Sequence, residues 1–219
     1  SATALKLPIA RMVEMAKTAG AAVLVDGAHA PGMAAVDLSS LGADWYTGNC
    51  HKWMFAAKGC AFLWAGRKTD LHPTVIGHGF QDGFHAEFDY VGTRDGSAQH
   101  SLPAAIEFME GFGVAEIQAH NHTLALAAGR RLADAWGTET GAPPALMGAM
   151  AVVRLPYGAG ADLAAAKRLR ARLLDEDGIQ IRLNPLAGGL WMRVSTQIYN
   201  DMADIDRLAD AVLAKRLNE

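Results

Sequence analysis

Ala21-Ala22-Val23-Leu24-Val25-Asp26-Gly27-Ala28-His29-Ala30-Pro31-Gly32 is the stretch from which the rest of the sequence can be placed. Apolar residues run without alternation and stop at a carboxylate, the pattern of a strand buried on both faces of a sheet. Gly27 to Gly32 then reads as a turn, since glycine and proline supply the backbone angles that turns require. Upstream, Pro8 suits a first helical position, and Ile9, Met12, Val13 and Ala16 recur at helical spacing until Gly20 closes the helix. Downstream, Asp44-Trp45-Tyr46-Thr47 reads as the next strand, ending before Gly48-Asn49-Cys50-His51-Lys52, and Cys60 to Ala65 as a third. Strand and helix in alternation predict an α/β layer with a mostly parallel sheet.

From Arg67 to Gln99 the periodicity vanishes, and the stretch holds Gly77-His78-Gly79-Phe80 and Gly92-Thr93-Arg94-Asp95. Loops of that length inside a domain are usually functional or mobile. Pro103 starts a helix with Ile106 and Met109 expected inward; it breaks near Gly111 and Gly113, and a longer helix runs to about Ala135. The Gly/Pro/Thr-rich segment from Gly137 to Pro144 marks a boundary, giving domains 1–136 and 137–219. The second domain reads as a small α/β unit: a strand from Met150 to Leu155, a helix from Asp162 to Asp177, and strands around Ile179–Leu183 and Leu190–Val194. Its last helix turns Ile205, Leu208, Ala209, Val212 and Leu213 to one face, with Asp201 and Asp204 in the first turn and Lys215 and Arg216 in the last, as the helix dipole prefers. The chain opens at Ser1 without an initiator methionine, in the manner of the middle of a protein.

Composition narrows the function classes. A net charge of −3 gives no electrostatic case for nucleic acid, whose partners usually carry a basic surplus. No run approaches the ~18 apolar residues of a membrane span. Two cysteines, Cys50 and Cys60, make no disulfide framework and point to a reducing, cytoplasmic setting. Eight histidines are present, yet none sits in a familiar zinc spacing. His120 and His122, two apart on a helix, point in different directions. A metal enzyme is therefore the weaker chemical class.

Asp26 and Lys52 carry the stronger one. Each follows a strand at the carboxyl edge of the sheet, where ligands bind in open α/β folds. A carboxylate directly after an apolar strand is costly unless something cationic pairs with it. A strand-capping aspartate and a partner for a protonated pyridine nitrogen, as in pyridoxal phosphate, both fit Asp26. Lys52 fits either a surface lysine or a Schiff-base lysine. Partial burial beside Trp53 and Phe55 would favour the neutral amine that such a lysine needs. His51 and Asn49 offer polar contacts for a phosphate or substrate. Trp45, Trp53 and Trp64 read as core or pocket lining, the Met12–Met15–Ala16 region as helix packing, and Arg130-Arg131 as a solvated face. Arg154, Arg168 and Arg170 need no ligand.

Val25-Asp26-Gly27-Ala28-His29-Ala30-Pro31-Gly32 and Tyr46-Thr47-Gly48-Asn49-Cys50-His51-Lys52-Trp53 together resemble the class V aminotransferase family of pyridoxal-phosphate enzymes, of fold type I, and its isopenicillin N epimerase-like branch in particular. The resemblance continues through Phe62-Leu63-Trp64, Val91-Gly92-Thr93-Arg94-Asp95 and Arg193-Val194-Ser195, so it covers nearly the whole chain. It implies the C-terminal portion of a large cofactor-binding domain followed by a small α/β domain. It also implies that Lys52 holds the cofactor through a Schiff base and moves the α-proton. Asp26 would pair with the ring nitrogen, Ala28 lie against the ring, and His29 approach the phenolic oxygen. Asn49 and His51 match phosphate-holding positions. Thr93 matches a residue that reaches the phosphate of the neighbouring subunit, which implies a homodimer with shared sites. Arg193 matches the arginine that grips the carboxylate of a small amino-acid substrate, a task suited to a bidentate guanidinium.

Family members carry a further half of the large domain before the position of Ser1, including the backbone phosphate cradle and the ring-stacking side chain. A truncated, non-catalytic chain is thus the alternative to an enzyme. Epimerases, lyases, desulfurases and aminotransferases share the family. Desulfuration through a cysteine persulfide is disfavoured, because no cysteine follows Cys60. Epimerisation needs a second base, for which His29, His78 and His85 are candidates. Elimination and transamination need only the lysine.

Overall fold

Val13 is the residue of helix α1 (Ile9–Thr18) that the fold buries, in a small cluster with Val25, Ala43 and Tyr46. The computed structural model, which describes residues 2–66, 71–156 and 162–216, leaves Met12 and Met15 of that helix exposed, against the packing role expected of them. Strand β1 (Leu24–Asp26) lies parallel to β2 (Trp45–Asn49), with Leu24 opposite Trp45 and Asp26 opposite Thr47. Between them runs α2 (Leu38–Leu41), capped by the Asp37 carboxylate, which accepts from the N–H groups of Ser39 and Ser40.

Two strand expectations change. β1 is not buried on both faces: Val25 is buried while Leu24 is 61% exposed. Side chains alternate along a strand, and only the face toward α1 is covered among the described residues. β3 (Ala61–Ala65) runs antiparallel to β2, so the parallel relation holds for β1 and β2 alone in the described β1-β2-β3 sheet. The link from β2 to β3 holds a single turn, α3 (Cys50–Trp53), and a bend. A parallel crossover needs about a dozen residues or more, usually with a full helix.

Asp44 sits just ahead of β2 instead of within it. Both its carboxylate oxygens accept from Lys17 Nζ, at 2.9 and 3.0 Å, and one accepts the Val23 N–H at 2.7 Å. This buried carboxylate ties α1 to both strands.

The aperiodic stretch is more ordered than its sequence suggests, although its first four residues, from Arg67, lie outside the described residues. It contains α4 (Phe84–Asp89) and α5 (Ser97–His100). Glu87 is only 4% exposed; it accepts from the Gln81 N–H at 3.1 Å and meets His72 Nδ1 at 2.6 Å. In α6 (Leu102–Phe112) the buried pair is Ala105 and Met109, and Ile106 is exposed. Ala105 takes the inward place because it packs against Cys50, Ala56 and Cys60.

The chain divides into two compact units, Pro8–Gly113 and Ser1–Leu7 with Val114–Glu219. The division precedes the sequence boundary at Gly137 because α7 (Val114–Trp136) buries Ala128, Leu132, Ala133 and Trp136 in the later core. That unit continues with β4 (Met150–Arg154), α8 (Leu163–Asp177), β5 (Arg182–Leu186), β6 (Gly189–Ser195) and α9 (Met202–Arg216). Its sheet is antiparallel in the order β4-β6-β5. β5 starts three residues later than the sequence suggests, at Arg182 instead of Ile179. Asp162 caps α8 by accepting the Ala165 N–H at 2.6 Å. Lys215 does more than favour a helix dipole: it is buried and pairs with Glu176 and Asp177. The side chain of Arg216 lies outside the described residues.

Candidate active site

Asp26 and Lys52 leave the sheet at the same edge, because β1 and β2 are parallel and each residue follows or ends its strand at the carboxyl end. Both side chains are exposed. For Lys52 this replaces the expected partial burial: the buried members of its turn are Cys50 and Trp53, which point the lysine outward. The Asp26 carboxylate is fixed by the Ala28 N–H, which donates to Oδ1 at 3.1 Å.

The two turns pack directly on each other, and glycine makes this possible. A Cβ at Gly48 would lie 2.8 Å from Pro31 Cγ and 2.5 Å from the Phe62 ring. A Cβ at Gly32, whose φ is +79°, would lie 2.6 Å from the Trp53 carbonyl oxygen. One side-chain bond completes the joint: the Trp53 indole N–H donates to His29 Nδ1 at 3.2 Å. That bond requires Nδ1 to be unprotonated, so the neutral ring carries its proton on Nε2. His29 is thereby a donor toward whatever faces Nε2.

His51 is arranged the other way. Its Nδ1 lies 2.9 Å from the Cys60 carbonyl oxygen, which can only accept, so this nitrogen bears the proton. Nε2 of the neutral ring then accepts from Asn49 Nδ2 at 3.4 Å. Asn49 keeps a second amide hydrogen for an anion.

Two residues outside the sequence-derived set shape the site. Tyr46 is 2% exposed and lies beneath the first turn, where a Cβ at Gly27 would come within 1.9 Å of its hydroxyl oxygen. Burial, then the charge of Asp26, push the Tyr46 phenol up from its ordinary value and keep it neutral. Nothing local in the sequence signals the approach of Tyr46 to Gly27. Phe55, beyond Lys52, holds a φ of +64°, a region that costs a bulky residue about 1–3 kcal/mol. Its ring meets Phe108 edge-on at 5.0 Å, which holds it there.

Thr93 is exposed between α4 and α5, its hydroxyl 3.4 Å from that of Tyr90. Arg193 belongs to the other unit, on β6, and lines a cavity of about 530 Å3 within it. Burial, then the charge of Arg182, hold its guanidinium below the ordinary value. Cys50 and Cys60 are free and buried, and burial followed by the Cys60 neighbour pushes the Cys50 thiol up to about 11. Among the described residues no group of three or more His, Cys, Asp or Glu could hold a metal ion, and no helix is long and apolar enough to cross a membrane.

Comparison with known proteins gives the family. The profile of the family described as Aminotransferase class-V matches residues 3–208. The chain is 35% identical to a probable chloroplastic L-cysteine desulfhydrase of Arabidopsis thaliana, over 94% of its own length and 47% of that protein's. It is 34% identical to the isopenicillin N epimerase of Amycolatopsis lactamdurans, over 97% of its length and 57% of the relative's. A cysteine desulfurase from Thermococcus onnurineus NA1 shares the fold, with a TM-score of 0.80 at 20% identity over 99% of this chain and 57% of the other. This chain belongs to the class V aminotransferase family, whose members are pyridoxal-phosphate enzymes of fold type I, and it spans about half the length of the curated relatives it matches.

The residues present fit the ring end of that cofactor. An exposed carboxylate held by a backbone N–H, a small residue at Ala28, an imidazole with a fixed tautomer and an exposed amine stand on two interlocked turns.

Proposed function

We propose that this chain supplies the lysine half of an enzyme that acts at the α-carbon of an amino acid, with Lys52 as the Schiff-base lysine. The observation that carries this reading is the direct packing of the Asp26 turn on the Lys52 turn through Gly32, Gly48 and the Trp53–His29 bond. Bound pyridoxal phosphate supplies an electron sink for the α-carbanion. Asp26 accepts a hydrogen bond from the protonated ring nitrogen and holds that proton in place. Ala28 leaves room for the ring, and His29 donates from Nε2 to the phenolic oxygen. Asn49 donates its amide hydrogen to the phosphate, and His51, whose ring accepts the other amide hydrogen, orients it. Arg193 grips the α-carboxylate, and the Lys52 amine takes the α-proton and returns it. Thr93, on its exposed turn, reaches the phosphate held by a second subunit in a homodimer.

A lyase or aminotransferase cycle needs only the proton that Lys52 moves. The relatives' names span desulfhydrase and epimerase. A persulfide-forming desulfurase is the least suited branch, since both cysteines are buried and the Cys50 thiol stays protonated at neutral pH. A second reading, cofactor binding without turnover by this chain alone, draws on the open setting of Asp26 and Lys52. Lys52→Ala decides the main one: the variant should lose turnover of every amino acid that the wild type converts. Turnover at the wild-type rate would sink the proposal.

A further inference from the structure

The cavity that Arg193 lines carries more positive charge than one α-carboxylate can answer. Arg170, Arg182, Arg193 and Arg207 all border it, against one carboxylate among the described residues, Asp204. Asp204 is already engaged, its Oδ2 accepting from Asn200 Nδ2 at 3.0 Å. The volume of about 530 Å3 falls in the range of small-molecule sites.

Register sharpens this picture. Arg182 on β5 stands directly opposite Arg193 on β6, on the face away from the buried Leu183–Met192 pair. Like charges directly opposite each other in an antiparallel pair destabilise it. An anion between them converts that repulsion into charge-assisted hydrogen bonds. The Arg182 guanidinium is oriented for this, because its Nε donates to Asn184 Oδ1 at 3.1 Å. Asn184 is 7% exposed, and its Nδ2 has no hydrogen-bond partner among the described residues. A buried donor left without an acceptor is costly. Beside Arg182 there is thus a buried donor, Asn184 Nδ2, that no described group satisfies.

We propose that Arg182 and Arg193 form a two-anion subsite, and that the substrate is an amino acid carrying a second anionic group in addition to its α-carboxylate. This rests on the proposed function for the role of Arg193 and adds Arg182 as the specificity-determining residue. Arg193 holds the α-carboxylate. Arg182 takes the side-chain carboxylate, or a group of the same charge and shape.

The subsite can be tested without cofactor. The isotope-labelled chain is titrated with succinate and L-aspartate, and separately with acetate and L-alanine, while the arginine Nε–H signals are followed by NMR. One further charge-assisted contact should make the dicarboxylates bind about tenfold tighter than the monocarboxylates. Arg182→Gln should erase that preference and leave acetate binding unchanged. Arg182→Lys, which keeps the charge but not the fork, should retain part of it and provides a second variant if the first does not fold. Arg172→Gln removes a guanidinium that pairs with Glu176 outside the cavity lining, and should leave the binding of both ligand classes as in the wild type. Three results would each overturn the proposal. They are equal binding of the two ligand classes, an equal loss of acetate and succinate in Arg182→Gln, and the same loss in Arg172→Gln as in Arg182→Gln. Trapping of cofactor on Lys52 in the same preparation decides the underlying reading independently.

Discussion

The turn-bearing sheet around Asp26 and Lys52 and the core of the C-terminal unit are held together by different means. In the C-terminal unit, α7, α8 and α9 close over one face of β4-β6-β5, burying Leu132, Val153, Leu173, Met192 and Val212 almost completely. Around Asp26 the apolar clusters are small, Leu24 faces outward, and cohesion comes from glycines that let backbone and rings approach. A closed apolar core resists loss of volume, whereas an interlocked turn resists gain of volume. The part proposed to carry the chemistry is thus the part most sensitive to a single added methyl group.

Leu173→Ala should produce the largest loss of stability. Its side chain is fully buried, and such truncations cost about 2–5 kcal/mol, so thermal melting should fall sharply while Lys52 remains reactive toward cofactor in the folded fraction. Gly27→Ala should invert that pattern. The added methyl overlaps the Tyr46 hydroxyl and costs about 1–3 kcal/mol, yet it should remove cofactor trapping at Lys52. Equal effects of the two variants on trapping would break the contrast between the regions.

Acid acts on both compact units through carboxylates whose folded pKa is lowered. For Glu87 the leading cause is the hydrogen bond with His72, and for Glu176 it is the hydrogen bond from Arg172. A depressed folded pKa gives stability that is present above the unfolded value, about 4.3 for glutamate, and is lost as pH falls through the folded one. Melting should therefore drop below that pH. Arg172→Gln should flatten the part due to Glu176, and a profile unchanged by this variant would contradict the assignment. Smallest of all is the expected response of the cysteines. With the Cys50 thiol pushed up to about 11 and both side chains buried, iodoacetamide at neutral pH should label neither until the chain unfolds, as read by intact mass.

The sequence was legible where one signal sufficed. Helical periodicity located α7, α8 and α9 because each buries a stripe in a single core. The Asp26 and Lys52 motifs pointed to one family through their residue types. Periodicity misplaced Ile106 and Met12, because it reports which face of a helix is apolar and not whether a partner layer covers it. The reversal of β3 followed from a link too short for a crossover, which strand propensity does not weigh. The Trp53–His29 bond joins residues 24 positions apart, and nothing local announces it. Arg182 went unremarked because its meaning depends on standing opposite Arg193, a relation fixed by the register of the hairpin.

The central claim is that the Asp26 and Lys52 turns form one cofactor-linking unit. Its most direct test is an absorbance spectrum with added pyridoxal phosphate, then borohydride reduction and peptide mass mapping, on the wild type and on Gly27→Ala. A band near ~420 nm and a pyridoxyl mass on the Lys52 peptide, both lost in Gly27→Ala, are the expected result for a Schiff-base lysine set by the neighbouring turn. An adduct spread over other lysines, or one on Lys52 that Gly27→Ala leaves intact, would contradict it.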